Sequence, residues 1–156
     1  MRYSKVATGG TFDDFHAGHK RLLEKSFESG DYVVIGLTSD EFARKQGKEP
    51  RRPYAEREAK LEAFIKERFP GRGYSISKLD DFFGPGIASK DVEALVASPE
   101  TAKRVDLANK LRGEKGFPPL DLVVVDWALA QDGKPISSTR IRRGEIDEEG
   151  RRARGR

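Results

Sequence analysis

The sequence contains no cysteine, and this absence removes several kinds of chemistry at once. Without a thiol the chain forms no disulfide, offers no thiolate ligand to a metal and has no cysteine nucleophile. Residues 1–15 lack the apolar core of a signal peptide, and no apolar run approaches the roughly 20 residues that span a bilayer. These absences predict a cytoplasmic protein that has no contact with a membrane.

Histidine and aromatic residues are also scarce. The chain has two histidines, its aromatic residues make up 9% of the total, and its formal net charge is +4. Such a small basic excess favours anionic ligands. Part of it comes from GRRARGR at residues 150–156, where no aromatic residue interleaves with the arginines. We therefore expect no nucleic-acid partner.

Apolar residues fall in short blocks that alternate between strand and helix patterns. Strands are predicted at 5–10, 31–38, 74–79, 92–98 and 120–127, and helices at 17–30, 54–69 and 98–112. This alternation is typical of a single α/β domain, in which a doubly wound parallel sheet of five strands has helices on both faces. Ligands of such sheets bind outside the carboxyl ends of the strands.

Local signals give several of these elements their ends. Gly30 is predicted to stop the first helix, and Ser39 to cap a short helix that follows the second strand. Ser98 is predicted to open one continuous helix that ends at Gly113. The apolar run LDLVVVDW, at 120–127, is the clearest candidate for a buried strand.

The stretch TGGTFDDFHAGH, residues 8–19, follows the first predicted strand and contains both histidines. Gly9 and Gly10 allow backbone N–H groups to approach a ligand closely, and Thr11 adds a hydroxyl. Gly18 leaves room for a phosphate, and the first turn of the next helix offers free N–H donors and a positive dipole end. The stretch therefore predicts an anion site, and a polyphosphate suits it best.

Two other interpretations of the histidine pair stay open at this point. Residues three apart share a helix face, so His16 and His19 could both bind a metal ion. A zinc site needs a third ligand with its own spacing, and no pattern such as HExxH is present. Asp13 and Asp14 are near, but such a pair more often caps a turn. The histidines could also be polar residues at a helix start with no further role.

Two motifs resemble those of a known group of enzymes. GGTFDDFHAGH is similar to the HxGH motif of the nucleotidyltransferases with a Rossmann-like fold, and ISSTRIR at 136–142 is similar to their second signature, ISSTxIR. GLTSDEF, PYAERE, DDFFGPG and ASPET narrow the likeness to phosphopantetheine adenylyltransferases of the archaeal and eukaryotic type. The resemblance implies one Rossmann-like nucleotidyltransferase domain at 1–147, with 148–156 as a basic C-terminal tail.

The resemblance also implies a reaction. The adenylyl group of ATP would pass to 4′-phosphopantetheine and give dephospho-coenzyme A and pyrophosphate, a step of coenzyme A biosynthesis. ATP and 4′-phosphopantetheine would be the small-molecule partners, and the oligomeric state stays open. Mg²⁺ would enter with ATP and be held mainly by its oxygens, so no site made of protein ligands alone is expected.

The matching residues take their roles from the same resemblance. His19 would stabilise the transferring phosphorus, Thr11 would orient the attacking phosphate, and Lys45 or Lys48 would clamp the phosphates of both substrates. The residues implied in ATP binding are Gly9, Gly10, His16, Gly18, His19, Ser137, Ser138, Thr139 and Arg142. Those implied in binding the acceptor are Thr11, Lys45, Phe82, Phe83 and Arg104.

Two alternative functions also fit parts of the sequence. TSDEF also resembles a glycerol-phosphate cytidylyltransferase, but those enzymes end in RTxGISTT where this chain has DGKPISSTRIR. A regulatory module that binds a nucleotide without turnover is the alternative from another class. The presence of His19, both serines of the second motif and Arg142 argues against it.

Overall fold

A computed structural model describes residues 3–13, 15–81, 84 and 88–125 of the chain. The strands are β1 Tyr3–Gly10, β2 Gly30–Thr38, β3 Gly73–Leu79, β4 Ala94–Ala97 and β5 Asp121–Val124. The helices are α1 Ala17–Ser29, α2 Asp40–Lys45, α3 Tyr54–Arg68, α4 Pro99–Ala102 and α5 Val105–Glu114. Strands and helices thus alternate as the sequence predicts.

The five strands form one parallel sheet in the order β3-β2-β1-β4-β5. The chain first builds outward from β1 to β3, then crosses back to add β4 and β5 on the other side of β1. This is the strand order of a Rossmann-like doubly wound sheet, so the predicted fold class is confirmed. The order reverses between β1 and β4, and the carboxyl ends of these two strands therefore mark the expected ligand site.

The two faces of the sheet carry cores of unequal size. Val6 and Ile35 face the larger core, where side chains of α1 and α3 such as Leu23 and Leu61 are fully buried. The opposite face carries a smaller cluster made of Ala7, Val34, Val92, Ala108 and Leu120. Ala7 and Ala108 leave room on this second face for a cavity.

The predicted ends of the early elements are confirmed. Gly30 caps the carboxyl end of α1, and its N–H donates to the carbonyl of Ser26. Ser39 caps α2, because its hydroxyl accepts the N–H of Phe42 at 3.1 Å. Local chemistry alone was sufficient to place both ends.

The single helix predicted from Ser98 to Gly113 is wrong in its continuity. Ser98 does cap a helix, but α4 ends after one turn, and the N–H of Arg104 donates to the carbonyl of Thr101 at 3.0 Å. The helix α5 then begins at Val105 and continues through Gly113 to Glu114. Gly116, at a φ of 75°, follows the true end of the helix.

The prediction that 120–127 is the best buried strand is also wrong. Within the described residues, β5 pairs only with β4 and lies at the edge of the sheet. Leu122 and Val124 are 38% and 46% exposed. A continuous apolar run favours a strand, but it does not specify a central position in the sheet.

Candidate active site

A cavity of about 200 Å³ lies at the carboxyl ends of β1 and β2, on the face of the smaller core. Its apolar end is lined by Ala7, Val34, Leu95, Ala108 and Leu120. Its polar part contains predicted site residues from three separate segments, namely Gly9, Gly10, Thr11, Lys48 and Arg104. The fold thus brings together residues that are far apart in sequence, at the edge where such sheets bind ligands.

The glycines of this cavity make room for a neighbouring side chain. Gly9 and Gly36 are partners across β1 and β2, and the side chain of Leu79 lies over both. A Cβ atom on Gly36 would come within 2.6 Å of Leu79 Cδ1, and one on Gly9 within 3.1 Å of the Gly36 carbonyl oxygen. The missing side chains therefore let Leu79 form part of the cavity floor, which the sequence alone did not indicate.

The two histidines form a reciprocal cap at the start of α1. Nδ1 of His16 accepts the backbone N–H of Gly18 at 3.0 Å, and Nδ1 of His19 accepts the backbone N–H of His16 at 3.3 Å. This is a capping box in which two imidazoles take the usual places of Ser and Glu. Because Nδ1 is the acceptor in both rings, we assign the Nε2–H tautomer to each neutral ring.

This cap corrects one expectation about the helix start. The N–H of Gly18 is bonded to His16, and those of His19 and Lys20 donate to the His16 carbonyl oxygen at 3.0 and 3.2 Å. Lys20 makes the ordinary first bond of the helix, whereas the donors of Gly18 and His19, predicted to be free, are already used. The space beside Gly18 is also filled, because a Cβ there would lie 2.7 Å from His16 Cε1. With the donors of Gly18 and His19 used, α1 offers an anion its imidazole edges.

Aromatic rings surround His19 and fix its orientation. The His16 and His19 rings stack with centroids 3.8 Å apart, and Phe12 and Phe15 lie 5.1 and 5.7 Å from His19. Burial lowers the pKa of His19 well below 6.5, and repulsion from His16 and Lys48 acts in the same direction. In this structure His19 is therefore a neutral donor through Nε2 at pH 7.

The lowered pKa of His19 predicts a pH-dependent stability. Below about pH 6.5 the unfolded chain binds a proton at this histidine that the folded chain excludes, so the free energy of unfolding falls as the pH falls. Urea unfolding at pH 7.5 and 5.5 measures this. Asp40 titrates below 3.8 and lies outside this window.

His19→Gln provides the reference for that measurement, since glutamine does not titrate. We expect the free energy of unfolding of wild type to fall more than that of His19→Gln when the pH is lowered from 7.5 to 5.5. The ionisable groups that lie far from His19 are common to both chains, so their contributions cancel. An equal difference at the two pH values would contradict the assignment of a neutral imidazole with a lowered pKa.

The structure separates the two candidate lysines. Lys48 lines the cavity, and its charge acts on His19. Lys45 lies in the last turn of α2 and is absent from the cavity lining, although both lysines are exposed. Of the two, only Lys48 shares the cavity with Thr11 in the described residues, whereas His16, Gly18 and His19 do not line it.

Arg57 is a residue that the sequence analysis missed. Its side chain is fully buried, and Nη1 donates to the carbonyls of Thr11 and Thr38, each at 2.8 Å. Nη2 donates to the carboxylate of Asp40 at 2.5 Å. Burial raises the pKa of Asp40, but the hydrogen bonds from Arg57 and the N–H of Tyr54 outweigh it and lower that pKa. In a helix pattern rich in charges, nothing marked this arginine as buried.

Asp13, in the loop after β1, also contacts the loop 46–53. It is buried, its Oδ2 accepts the backbone N–H of Arg51 at 2.8 Å, and its Oδ1 lies 3.8 Å from Arg52 Nη1. Its contacts are thus those of a residue that ties loops together. No group of three histidines or carboxylates that could hold a metal ion occurs in the described part of the chain.

Several predicted site residues lie outside the described residues, so their roles stay predictions. These are Asp14, Phe82, Phe83, Ser137, Ser138, Thr139 and Arg142, together with the tail at 148–156. Where the chain is described, none of its helices is long and apolar enough to cross a membrane.

Comparisons with known proteins agree with this geometry. A sequence model of the cytidylyltransferase-like family matches residues 7–144. A phosphopantetheine adenylyltransferase of Methanopyrus kandleri is 44% identical over 147 residues, which cover 94% of this chain and 93% of the relative. That of Methanothermobacter thermautotrophicus is 46% identical over 146 residues, covering 94% and 87%. The chain belongs to the phosphopantetheine adenylyltransferase family.

Solved structures support the same fold for this member of the phosphopantetheine adenylyltransferase family. A crystal structure of a protein of unknown function from Archaeoglobus fulgidus superposes with a TM-score of 0.71 at 33% identity. The match covers 78% of this chain and 89% of the other. Both family motifs of the sequence lie within the residues that the cytidylyltransferase-like model matches.

Proposed function

We propose that this protein transfers the adenylyl group of ATP to 4′-phosphopantetheine, giving dephospho-coenzyme A and pyrophosphate. The observation that carries the proposal is the placement of Thr11 and Lys48 on one cavity, with the imidazole of His19 near Lys48. Membership of the family supplies the reaction class. The activity named for the relatives is compatible with a cavity that has an apolar end and a polar part lined by Lys48, Arg104 and Asp81.

The chemistry needs little acid or base. A phosphate oxygen of the acceptor is already an anion, and it attacks the α-phosphorus of ATP. The bond from the α-phosphorus to the bridging oxygen breaks, and pyrophosphate leaves with the electron pair. Catalysis then depends on alignment of the two substrates and on donors aimed at the phosphoryl oxygens.

The described side chains supply these two functions. In the proposed complex the Thr11 hydroxyl orients the attacking phosphate, and the Lys48 ammonium neutralises charge on both substrates. Nε2–H of His19 donates to an oxygen of the α-phosphoryl group as charge develops there. Arg104, which lines the cavity at its α5 side, adds a second cation. The neutral state of His19 does not prevent this role, because the donor is present without a net charge.

Mg²⁺ belongs to the proposed complex as part of the substrate. The described residues offer it no cluster of acidic or histidine ligands, and Asp13 is engaged with the loop at Arg51 and Arg52. The triphosphate oxygens would therefore hold the ion, which supplies charge neutralisation to the leaving pyrophosphate.

A panel of substrate pairs tests the proposed function. The protein is incubated with Mg²⁺, either ATP or CTP, and one of phosphopantetheine, glycerol 3-phosphate or nicotinamide mononucleotide, and pyrophosphate is measured. We expect release with ATP and phosphopantetheine only. Release confined to CTP and glycerol 3-phosphate would identify a cytidylyltransferase, and no release with any pair would favour the nucleotide-binding module.

A further inference from the structure

Arg57 connects the parts of the chain that carry the proposed catalytic groups. Besides Thr11, Thr38 and Asp40, its guanidinium contacts Arg52, whose carbonyl oxygen accepts Nε–H at 3.0 Å. Arg57 does not line the cavity, although its partners Thr11 and Thr38 do.

Each of these partners belongs to a different segment. The Thr11 carbonyl lies in the loop after β1, and the Thr38 carbonyl ends β2. Arg52 lies in the loop 46–53, which also carries Lys48, and Asp40 opens α2. One rigid cation thus bonds to the backbone of Thr11 and to the loop of Lys48 at the same time.

A guanidinium suits this position better than any other side chain. Its planar fork of five N–H donors reaches several acceptors in fixed directions, whereas a lysine ammonium is a single flexible point charge. Hydrogen bonds from an ionised donor are roughly twice as strong as neutral ones. Loss of the fork would leave buried carbonyl oxygens without their donor and allow the two loops to separate.

We propose that Arg57 is a positioning residue, which holds Thr11 and the Lys48 loop at the spacing that the phosphoryl transfer needs without touching either substrate. The inference rests on the proposed function, since its readout is turnover. A misplacement of about 1 Å in a catalytic group can lower a rate by as much as 10²-fold.

Arg112 offers a matched control at the other edge of the sheet. Its side chain is 1% exposed, and it donates to the carbonyls of Pro118, Ser89 and Val92 at 2.9, 2.8 and 3.0 Å. These residues precede β4 and β5, so they lie at the amino ends of the strands. Arg112 is therefore as buried as Arg57 and also bonded to carbonyls, but remote from the proposed catalytic groups.

The test compares Arg57→Lys with Arg112→Lys. Thermal melts are recorded first, and kcat and KM for pyrophosphate release are then measured well below both melting temperatures. We expect both variants to melt earlier than wild type. Arg57→Lys should lower kcat by about 10- to 100-fold with KM for ATP changed less than about 3-fold, whereas Arg112→Lys should keep kcat within about 2-fold.

A double-variant measurement separates positioning from general loss of stability. If Arg57 acts through Lys48, the effect of Arg57→Lys should shrink when Lys48 is already alanine, because residues in one network are not additive. The effect of Arg112→Lys should be unchanged in that background. Equal kcat values for Arg57→Lys and Arg112→Lys in an active protein would overturn this inference alone, and an inactive wild type would overturn the proposed function and the inference with it.

Asp40→Asn provides a second test of the positioning role if Arg57→Lys does not fold. Asp40 is partly exposed, so the change leaves the carbonyl partners of Arg57 in place, removes the charge that orients its fork and alters the second acceptor, which bonds the Tyr54 N–H. We expect kcat to fall by about 3- to 10-fold with the fold retained, on the scale of one weakened charged hydrogen bond. An unchanged kcat in a folded Asp40→Asn protein would contradict the positioning role.

Discussion

Replacing His19 with alanine is expected to lower the rate of pyrophosphate release at least ~100-fold, the scale of losing one donor to a transition state. The Phe12 and Phe15 rings and the stacked His16 ring hold this imidazole, and its Nδ1 is used in the helix cap. Nε2–H is therefore the atom left to meet a phosphoryl oxygen. The measurement is kcat at saturating ATP and phosphopantetheine, with circular dichroism to confirm the fold.

His19→Gln is the matched control for that result. Glutamine offers a neutral N–H donor of similar reach, so it should retain more activity than alanine if the donor, rather than a positive charge, is what the reaction uses. The alanine variant also loses one arm of the capping box, which costs about 1 kcal/mol and does not unfold the domain. Turnover of His19→Ala within about 3-fold of wild type would reject the role assigned to His19.

Replacing Lys48 with alanine is expected to reduce kcat/KM by about 10- to 100-fold. A hydrogen bond to a charged group contributes about 1.5–3 kcal/mol, and each 1.4 kcal/mol is a factor of ten. Lys48 lines the cavity with Thr11, and its charge already influences His19 without any ligand bound. The loss should appear with both substrates, because the ammonium is proposed to contact phosphates of each.

Lys45→Ala removes the same charge from the same stretch of sequence and is the natural comparison. Because Lys45 is exposed on α2 and does not line the cavity, its removal should change kcat/KM by no more than about 2-fold. A larger loss for Lys45→Ala than for Lys48→Ala would reverse the assignment of the phosphate clamp.

Much of the fold could be predicted because the deciding interactions are local. Glycine at the end of α1, serine at the start of α2 and β-branched runs in β2 act within a few residues of themselves. The edge position of β5 and the break between α4 and α5 were not predictable in this way. Both depend on which elements pack beside them, and apolar patterning carries no such information.

In the candidate site, too, local features could be predicted and features that depend on distant contacts could not. The motif around His16 and His19 indicated a phosphate-binding helix start, yet the N–H donors of Gly18 and His19, which were expected to be free, are bonded to His16 itself. These hydrogen bonds depend on the side-chain rotamers of His16 and His19, which a sequence does not specify. The role of Arg57 could not be predicted for a related reason. Its partners include backbone carbonyls of distant segments, and every residue type has a carbonyl, so the sequence does not identify them.

The transfer of label from ATP tests the central claim most directly. The protein is given phosphopantetheine, Mg²⁺ and ATP labelled at either the α- or the γ-phosphorus, and the organic product is separated from pyrophosphate. We predict that the α-label enters the organic product and the γ-label leaves in pyrophosphate. A γ-label in the organic product would show a kinase, and no label in it from either position would contradict nucleotidyl transfer to phosphopantetheine.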